Sequence, residues 1–158
     1  MKRVLRITVA VSLLLVSVPI YGGWIRTYGG EYRDVGCWVE QTSDGGYIIT
    51  GQFEFSPYPH IDSLCLIKTD SAGDILWTRF YAKDPALAIG ACVQQTSDGG
   101  YVIQGAPIPT QLWLLKTDEN GDTLWTLYWG ISGTCVREAQ DDGYIITGSS
   151  STPEYGYE

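Results

Sequence analysis

A nine-residue motif occurs three times in the chain, and this repetition constrains the fold more than any other feature. The motif runs from Gln41 to Ile49 (QTSDGGYII), returns from Gln95 to Ile103 (QTSDGGYVI), and has a divergent third copy from Glu138 to Ile146 (EAQDDGYII). A second motif, LIKTDSAGDILWT at residues 66–78, returns as LLKTDENGDTLWT at residues 114–126. Repetition at a spacing of about 50 residues indicates a solenoid, a propeller or an array, because one repeat cannot bury its apolar faces alone.

The first residues have the pattern of a secretory signal peptide. Three basic residues precede an almost entirely apolar run from Ile7 to Ile20, and small residues follow it. This pattern predicts a signal peptide over residues 1–22, cleaved near Gly22 or Gly23. A retained membrane anchor is the alternative, and it is less favoured because a spanning helix needs about 20 apolar residues. We therefore expect an exported mature chain over residues 23–158 with no membrane span.

The mature chain is strongly acidic. The whole sequence carries a net charge of −8, and removing the three basic residues of the signal peptide lowers this to −11. Such a surface repels phosphate backbones and anionic membranes. We expect no nucleic-acid partner, and an acidic surface of this kind is more often a matter of solubility than of recognition.

The chain contains four cysteines: Cys37, Cys65, Cys92 and Cys135. Their spacing matches neither a Cys-x-x-Cys metal site nor a dense disulfide framework. Cys92 and Cys135 occupy the repeat position that Trp38 occupies in the first copy, and Cys65 aligns with Trp113. A cysteine in place of a large apolar residue is typical of a buried small hydrophobe. The alignment favours buried free thiols over a disulfide.

Each full repeat contains four short runs rich in β-branched and aromatic residues, which predict strands. The predicted strands are residues 37–42, 47–53, 63–69 and 75–81 in one repeat, and 91–96, 101–105, 111–117 and 123–129 in the next. A looser connection is predicted over residues 54–62. The third run has apolar residues on both faces, as in Leu112 to Leu115, so each small antiparallel sheet is expected to be covered on both sides. That is the environment of a propeller blade between its neighbours.

The sequence therefore predicts an all-β fold of β-propeller-type four-stranded blades. Residues 24–28 match a fourth strand, full blades occupy residues 36–81 and 90–129, and a partial blade occupies residues 134–149. Propellers close with about four to eight blades, so this inventory is short of a ring. A fragment of a longer protein is the favoured explanation, and self-association that completes the propeller is the alternative.

The turns between the predicted strands have recognisable chemistry. Asp-Gly-Gly tolerates the positive φ of tight hairpins, and Asp70 and Asp118 are placed to bond the backbone ahead of them. The predicted structural turn residues are Asp44, Gly45, Gly46, Asp70, Gly73, Asp98, Gly99, Gly100, Asp118, Gly121, Asp142 and Gly143. Asp70 with Asp74, and Asp118 with Asp122, could instead gather oxygen ligands for Ca²⁺. The closing Glu of an EF-hand loop is missing, so no metal site and no cofactor are predicted.

The two motifs together resemble the repeat of secreted bacterial and archaeal β-propeller-like proteins, over residues 24–148. Those proteins are often large surface proteins, many with a sorting or adhesion module. The spacing Asp118-x-x-Gly121-x-x-x-Trp125 is also distantly similar to the repeats of quinoprotein-type and Asp-box propellers. The resemblance implies a propeller fold at a cell surface, and it implies no reaction and no catalytic residues.

Aromatic residues that do not recur between copies are the best recognition candidates. They are Trp38, Phe53, Phe55, Tyr58 and Trp129. Trp38 belongs to a first strand, which lines the channel of a propeller, and the next three crowd the longest predicted loop. Partial burial is the competing explanation for each. These residues suggest a protein or glycan partner.

Catalysis is not predicted. His60 is the only histidine, and a solvated loop residue is favoured over a member of a triad or a metal ligand. Carboxylates such as Glu40, Glu54 and Glu138 could serve glycoside hydrolysis, but they vary between copies. We expect a secreted or cell-surface binding or scaffolding protein. The alternatives are a polysaccharide-active hydrolase or lyase on the same scaffold, and a non-functional truncation of a larger surface protein.

Overall fold

The computed structural model describes residues 23–58, 60–81, 88–107, 112–130 and 132–149. In these ranges the chain forms ten strands: β1 (Val35–Gln41), β2 (Tyr47–Pro57), β3 (His60–Thr69), β4 (Ile75–Tyr81), β5 (Ala88–Gln95), β6 (Tyr101–Pro107), β7 (Leu112–Thr117), β8 (Thr123–Trp129), β9 (Ser132–Glu138) and β10 (Tyr144–Ser149). No helix capable of crossing a membrane occurs in them. The predicted signal peptide lies outside the described residues.

The strands form three antiparallel sheets, each a simple meander. The first sheet has the order β1-β2-β3-β4, the second has the order β5-β6-β7-β8, and the third pairs β9 with β10. None of the three closes on itself. The all-β prediction is confirmed, and each sheet corresponds to one copy of the repeat.

The predicted loose connection over residues 54–62 is wrong. β2 extends to Pro57 and β3 begins at His60, so the two strands form a long hairpin in which Glu54 pairs with Asp62. Proline is disfavoured in the interior of a strand, so the presence of Pro57 and Pro59 in this segment favours a connection. A proline at the end of a strand removes no ladder hydrogen bond that the sheet needs.

The first strand of every sheet carries a one-residue bulge. The pairing shifts at Cys37 in β1, at Ala91 in β5 and at Thr134 in β9. A bulge bends its strand and increases the local twist. The repeat therefore specifies both the strands and the place where the first strand bends.

The turn chemistry predicted from the repeat is present in the structure. Asp44 Oδ1 accepts a hydrogen bond from Gly46 N at 3.0 Å, and Asp98 Oδ1 accepts one from Gly100 N at 3.0 Å. In the third copy the acceptor is Asp141, from Gly143 N at 3.2 Å. Asp142, also predicted as a turn residue, lies in the same turn one position further along. Its φ of 63° places it at the position that the sister copies give to Gly45 (φ 83°) and Gly99 (φ 87°).

In the second type of turn, one carboxylate oxygen of an aspartate accepts two backbone hydrogen bonds. Asp70 Oδ1 accepts hydrogen bonds from the backbone N–H groups of Ala72 and Asp74, both at 2.9 Å. Asp118 Oδ1 accepts the equivalent bonds at 2.9 and 2.8 Å. Gly73 and Gly121 have φ values of 79° and 80°. These contacts explain the recurring aspartates through hairpin formation.

The hydrophobic core lies between the sheets, which pack face to face. Between the first and second sheets, the buried residues are Ile48, Leu64, Leu66, Val93, Tyr101, Ile103, Trp113 and Leu115. Between the second and third sheets they are Val102, Leu112, Leu114 and Val136. Full burial of one such side chain contributes about 1.5–3 kcal/mol. Most of the stability of the fold therefore arises at the junctions between sheets.

Residues 24–28 are not in a strand, contrary to the prediction, because none of the ten described strands pairs with them. They nevertheless contact the first sheet as a fourth strand contacts the sheet that follows it. Three edge-to-face pairs have ring centroids 5.7, 5.9 and 5.5 Å apart: Trp24–Tyr47, Trp77–Tyr101 and Trp125–Tyr144. The tryptophan of the first pair lies in the N-terminal segment, and the tryptophans of the other two pairs lie in β4 and β8.

Polar contacts repeat in the same way. Tyr28 donates a hydrogen bond to Gly73 O at 2.8 Å, and Tyr81 donates one to Gly121 O at 2.6 Å. Two ion pairs accompany them, Arg26–Asp74 at 3.2 Å and Arg79–Asp122 at 3.6 Å. The N-terminal segment thus reproduces the side-chain contacts of a fourth strand without its sheet.

The prediction of free thiols is wrong for two of the four cysteines. Cys92 on β5 and Cys135 on β9 form a disulfide, with their Cα atoms 5.2 Å apart. Cys37 and Cys65 are free. Cys92 and Cys135 align at the same repeat position, and equivalent positions on adjacent first strands are close in space. The pairing therefore follows from the stacking of the sheets.

Candidate functional site

The face of the first sheet that points away from the second sheet is incompletely covered. Val39, Val93 and Val136 occupy the same position in the three first strands. Val93 and Val136 are completely buried, whereas Val39 is 59% exposed. In the second and third sheets a preceding sheet covers this position. In the first sheet it is open, and a groove lies there.

The groove is broad and its lining is mainly aromatic and aliphatic. It has a volume of about 700 Å³ and is lined by Trp24, Tyr28, Gly36, Cys37, Trp38, Val39, Tyr47 and Ile49. The N-terminal segment forms one wall and β1 with β2 forms the other. Concave apolar surfaces with a few polar groups at the edge are typical binding sites.

Trp38, predicted as a recognition residue, lines this groove. Its side chain is 38% exposed, and the guanidinium of Arg137 lies 5.3 Å from the centre of its ring. Arg137 Nη1 also approaches Cys92 Sγ at 3.3 Å. A cation above an indole ring is attracted by the electrons of the ring face. The contact links β1 with β9 and fixes one face of Trp38.

A second, smaller cavity adjoins the groove. It has a volume of about 100 Å³ and shares Tyr28, Gly36 and Ile49 with the larger one. Phe53, another predicted recognition residue, lines it. The two cavities together form a surface that extends from Trp38 to the long β2–β3 hairpin.

Three phenylalanines form a cluster beside that hairpin. The ring centroids of Phe53, Phe55 and Phe80 are 4.8–4.9 Å apart in every pair. Phe55 and Phe80 are 44% and 43% exposed. The sequence interpretation missed Phe80 because β4 matches the repeat, where Tyr128 is its counterpart. The signal that could have identified it is the restriction of all three phenylalanines of the chain to one repeat.

Two buried acidic residues lie in the same β2–β3 hairpin as Phe53 and Phe55. Glu54 and Asp62 are 9% and 8% exposed, and they face each other across β2 and β3. Glu54 Oε2 accepts a hydrogen bond from Arg33 N at 3.1 Å, and Asp62 Oδ2 accepts one from Gln52 Nε2 at 2.6 Å. Asp62 Oδ1 is buried and has no hydrogen-bond partner among the described residues. A buried acceptor without a partner is unfavourable by about 1–3 kcal/mol.

The two remaining predicted recognition residues, Tyr58 and Trp129, lie outside the groove. Tyr58 is 92% exposed at the tip of the β2–β3 hairpin. Trp129 is 59% exposed at the end of β8, where it pairs with Leu112 in the second sheet. Neither lines the groove. The backbone of His60 starts β3, so it is not a loop residue.

The two free thiols differ in their surroundings. Cys37 is exposed on the groove wall, and desolvation among the neighbouring side chains raises the pKa of its thiol. Cys65 is buried behind it, and burial raises the pKa of that thiol to about 11. The thiolate is the reactive form of cysteine. Cys37 is therefore the accessible thiol of the groove, and Cys65 is protected.

Four lining residues, Trp24, Tyr28, Tyr47 and Ile49, are not among the predicted recognition residues, because they belong to segments that recur between copies. In the structure they line the groove. Their residue types carry no signal that could have identified them, because the same types pack between sheets in the other copies. In the part of the chain that the structure describes, no sheet covers this face of the first sheet, so these residues lie at the surface.

In the described part of the chain, no group of three or more His, Cys, Asp or Glu side chains is placed to hold a metal ion. A comparison with protein-family models finds no match, and a comparison with curated proteins finds none either.

Proposed function

We propose that the chain is an exported repeat protein of β-propeller type that provides a binding or scaffolding surface and has no catalytic activity of its own. The observation that carries this proposal is the open face of the first sheet. Val39 is 59% exposed where its two equivalents are fully buried, and four aromatic side chains surround it in a groove of about 700 Å³. Such rings provide large contact areas at low entropic cost.

Two further observations support the proposal. Disulfides persist in oxidising compartments, so the Cys92–Cys135 bond is in keeping with export. The stacking of four-stranded antiparallel sheets, each bent at the bulge of its first strand, is in keeping with propeller blades. A protein or glycan at the cell surface is the partner that this arrangement favours.

The proposal is tested by screening the mature chain, residues 23–158, on glycan and protein arrays. We expect at least one ligand to bind without being converted. Trp38→Ala should abolish that binding, whereas Trp129→Ala should retain it because Trp129 is exposed outside the groove. Binding that both variants retain would place the binding surface elsewhere.

A polysaccharide-active hydrolase is the second candidate. The observation that favours it is the buried pair of Glu54 and Asp62, because glycoside hydrolysis uses two carboxyl groups. Glu40 and Glu138 instead accept backbone hydrogen bonds across the sheet junctions, from Gln95 N at 3.4 Å and Ser97 N at 2.7 Å. Release of reducing sugar that disappears in both Glu54→Gln and Asp62→Asn would favour the hydrolase.

A further inference from the structure

The two ends of the stack of sheets expose apolar side chains at positions that the repeat buries elsewhere. We call the surface of Val39, Tyr47 and Ile49 on the first sheet the front, and the surface around Ile145 on β10 the back. Ile145 is 65% exposed, whereas its repeat equivalents Ile48 and Val102 are completely buried. Both surfaces are therefore uncovered at positions that the repeat buries elsewhere.

The same contact is made twice within the chain. At the first junction, Ile48 packs into a cluster with Val93, Tyr101 and Ile103. At the second, Val102 packs with their equivalents Val136, Tyr144 and Ile146. Part of a third set of the same residue types is present and divided between the two ends: Ile145 on the back, and Val39, Tyr47 and Ile49 on the front. The leucines that the third strands add at the internal junctions (Leu64 and Leu66, then Leu112 and Leu114) have no counterpart in the two-stranded third sheet.

The N-terminal segment defines the place that an occupant of the front would fill. Residues 24–28 already make the contacts that the fourth strand of a preceding sheet makes, including the Trp24–Tyr47 pair and the Tyr28–Gly73 hydrogen bond. In the meander order of the four-stranded sheets, the third strand lies next to the fourth and the first two lie beyond it. Strands docked on the groove beyond residues 24–28 would therefore take the places of the first and second strands. The third sheet consists of a first and a second strand, β9 and β10.

We propose that the third sheet of a second copy of this chain docks on the front of the first sheet, in a head-to-tail contact that repeats the internal junctions. This inference rests on the proposed function, since it names the occupant of the same groove. A head-to-tail contact uses a different surface on each copy. It leaves one front and one back free in each dimer, so association continues unless the copies close into a ring.

The polar edge of the internal junction is also available at the front. At the two junctions, Gln95 Oε1 accepts a hydrogen bond from Ser43 N at 2.8 Å, and Glu138 Oε2 accepts one from Ser97 N at 2.7 Å. Gln41 is the equivalent acceptor on the first sheet. Its Nε2 is held by Gly45 O at 3.2 Å, much as Gln95 Nε2 is held by Gly99 O at 3.3 Å. Gln41 would accept from Gln140 N of the second copy.

Charge predicts how this contact responds to salt. The mature chain carries a net charge of −11 after loss of the three basic residues of the signal peptide, so two copies repel each other. Salt weakens this repulsion, because charges farther apart than the screening length, about 10 Å at 0.1 M salt, hardly interact. Because the contact surfaces themselves are mainly apolar, self-association should strengthen as salt concentration rises.

The test is sedimentation velocity of the mature chain from low to high micromolar concentration. Val39→Asp blocks only the front, and Ile145→Asp blocks only the back. Each variant should weaken self-association roughly tenfold or more, because burying an unpaired charge in an apolar contact is strongly unfavourable. An equal mixture of the two should form a dimer, since one variant retains the back and the other retains the front.

Leu124→Asp is the control, because Leu124 is 58% exposed and lies outside both surfaces. It should associate like the parent chain. All three positions are exposed, so the variants should fold, as circular dichroism would verify, and Val39→Asn is a milder second front variant. A parent chain that stays monomeric at every concentration would overturn the proposal, as would a mixture that sediments like its separate components.

The outcomes separate this inference from the proposed function. If the chain stays monomeric and binds an array ligand through Trp38, the proposed binding function stands and the proposal that a second copy occupies the groove is overturned. A monomeric chain with no array ligand would overturn both. A third outcome is self-association that is lost in Trp38→Ala, with no ligand found on the arrays. It would support the second copy as the sole occupant of the groove.

Discussion

At the scale of the residue, a buried lysine and a turn aspartate recur as a pair. Lys68 Nζ lies 2.8 Å from Asp44, and Lys116 Nζ lies 2.9 Å from Asp98. Each ammonium also donates to the carbonyl of the next residue at 2.9 Å. The lysine side chains are only 5% and 4% exposed. A buried charge is tolerated when it is paired and hydrogen-bonded, so the aspartate both shapes the turn and compensates the lysine.

This pairing predicts a dependence of stability on acid. Hydrogen bonding by Thr96, together with Lys116, lowers the pKa of Asp98 to about 2, and Lys68 holds the pKa of Asp44 well below its usual range. Unfolded aspartate titrates at about 3.9. A carboxyl whose pKa is lower in the folded state stabilises the fold above the unfolded value, and this stabilisation is lost as the pH falls toward the folded value. The free energy of unfolding should therefore fall between about pH 5 and pH 2.

Asp98→Asn tests this dependence by urea unfolding at pH 7 and at pH 3. The variant should be less stable than the parent at pH 7, because Lys116 loses its carboxylate, and the difference should shrink at pH 3. Asp141→Asn is the control, because Asp141 makes the same turn contact with Gly143 but has no lysine partner among the described residues. An equal effect of both substitutions at both pH values would contradict the role of the lysine.

Left-handed turn positions give a second prediction at this scale. Gly99 has a φ of 87°, and a Cβ there has open space around it, so only the backbone conformation opposes a side chain. Gly99→Ala should lower the free energy of unfolding by about 1–2 kcal/mol. Gly130→Ala is the matched control, because Gly130 is also open but does not have a positive φ. Thermal melts that show equal effects would contradict the argument.

At the scale of the element, the junction between the first and second sheets depends on a Trp-x-Arg-x-Tyr segment of β4 that contacts the next sheet. Trp77, Arg79 and Tyr81 on β4 contact the turn at Gly121, where an added Cβ would lie 2.8 Å from Arg79 and 3.0 Å from Trp77. Burial raises the pKa of Tyr81 well above its ordinary value. The segment at residues 24–28 has the same residue types and the same contacts, although it belongs to no sheet. Side-chain contacts alone are sufficient to seat it.

Alanine substitutions of the two tryptophans test this equivalence by chemical unfolding. Trp77→Ala should lower the free energy of unfolding by about 3 kcal/mol. Trp24→Ala should lower it by about 1 kcal/mol, because Trp24 is 41% exposed. Ile25→Ala is the control, since Ile25 is 90% exposed and should have almost no effect. If Trp24→Ala behaved like Ile25→Ala, residues 24–28 would not be part of the folded unit.

The disulfide joins the second and third sheets, and it gives a prediction of its own. Alkylation of the unfolded, unreduced chain followed by mass spectrometry should modify Cys37 and Cys65 only, and reduction should expose all four cysteines. Reduction should also lower stability by about 2–4 kcal/mol, because the bond restricts the unfolded chain. Alkylation of all four cysteines without reduction would show that Cys92 and Cys135 are not bonded.

At the scale of the whole molecule, the repeat predicted the order of the strands, the turns and the packing between sheets. It failed where copies differ. The β2–β3 hairpin has no counterpart of equal length, and the Cys92–Cys135 bond depends on the distance between neighbouring sheets, which a one-dimensional alignment does not provide. The groove was missed for a related reason. The equivalents of Tyr47 and Ile49 pack between sheets in the other copies, whereas in the first copy no sheet among the described residues covers them.

The central claim is that the front of the first sheet is the binding surface of the molecule, and Cys37 is a natural probe of it. Its thiol is exposed on the groove wall, while Cys65 is buried and Cys92 and Cys135 are bonded. The rate of maleimide labelling of Cys37 should fall as chain concentration rises, or when an array ligand is added, because the occupant covers the thiol. The rate should not fall with concentration in Ile145→Asp. A labelling rate that neither concentration nor ligand changes would contradict the claim.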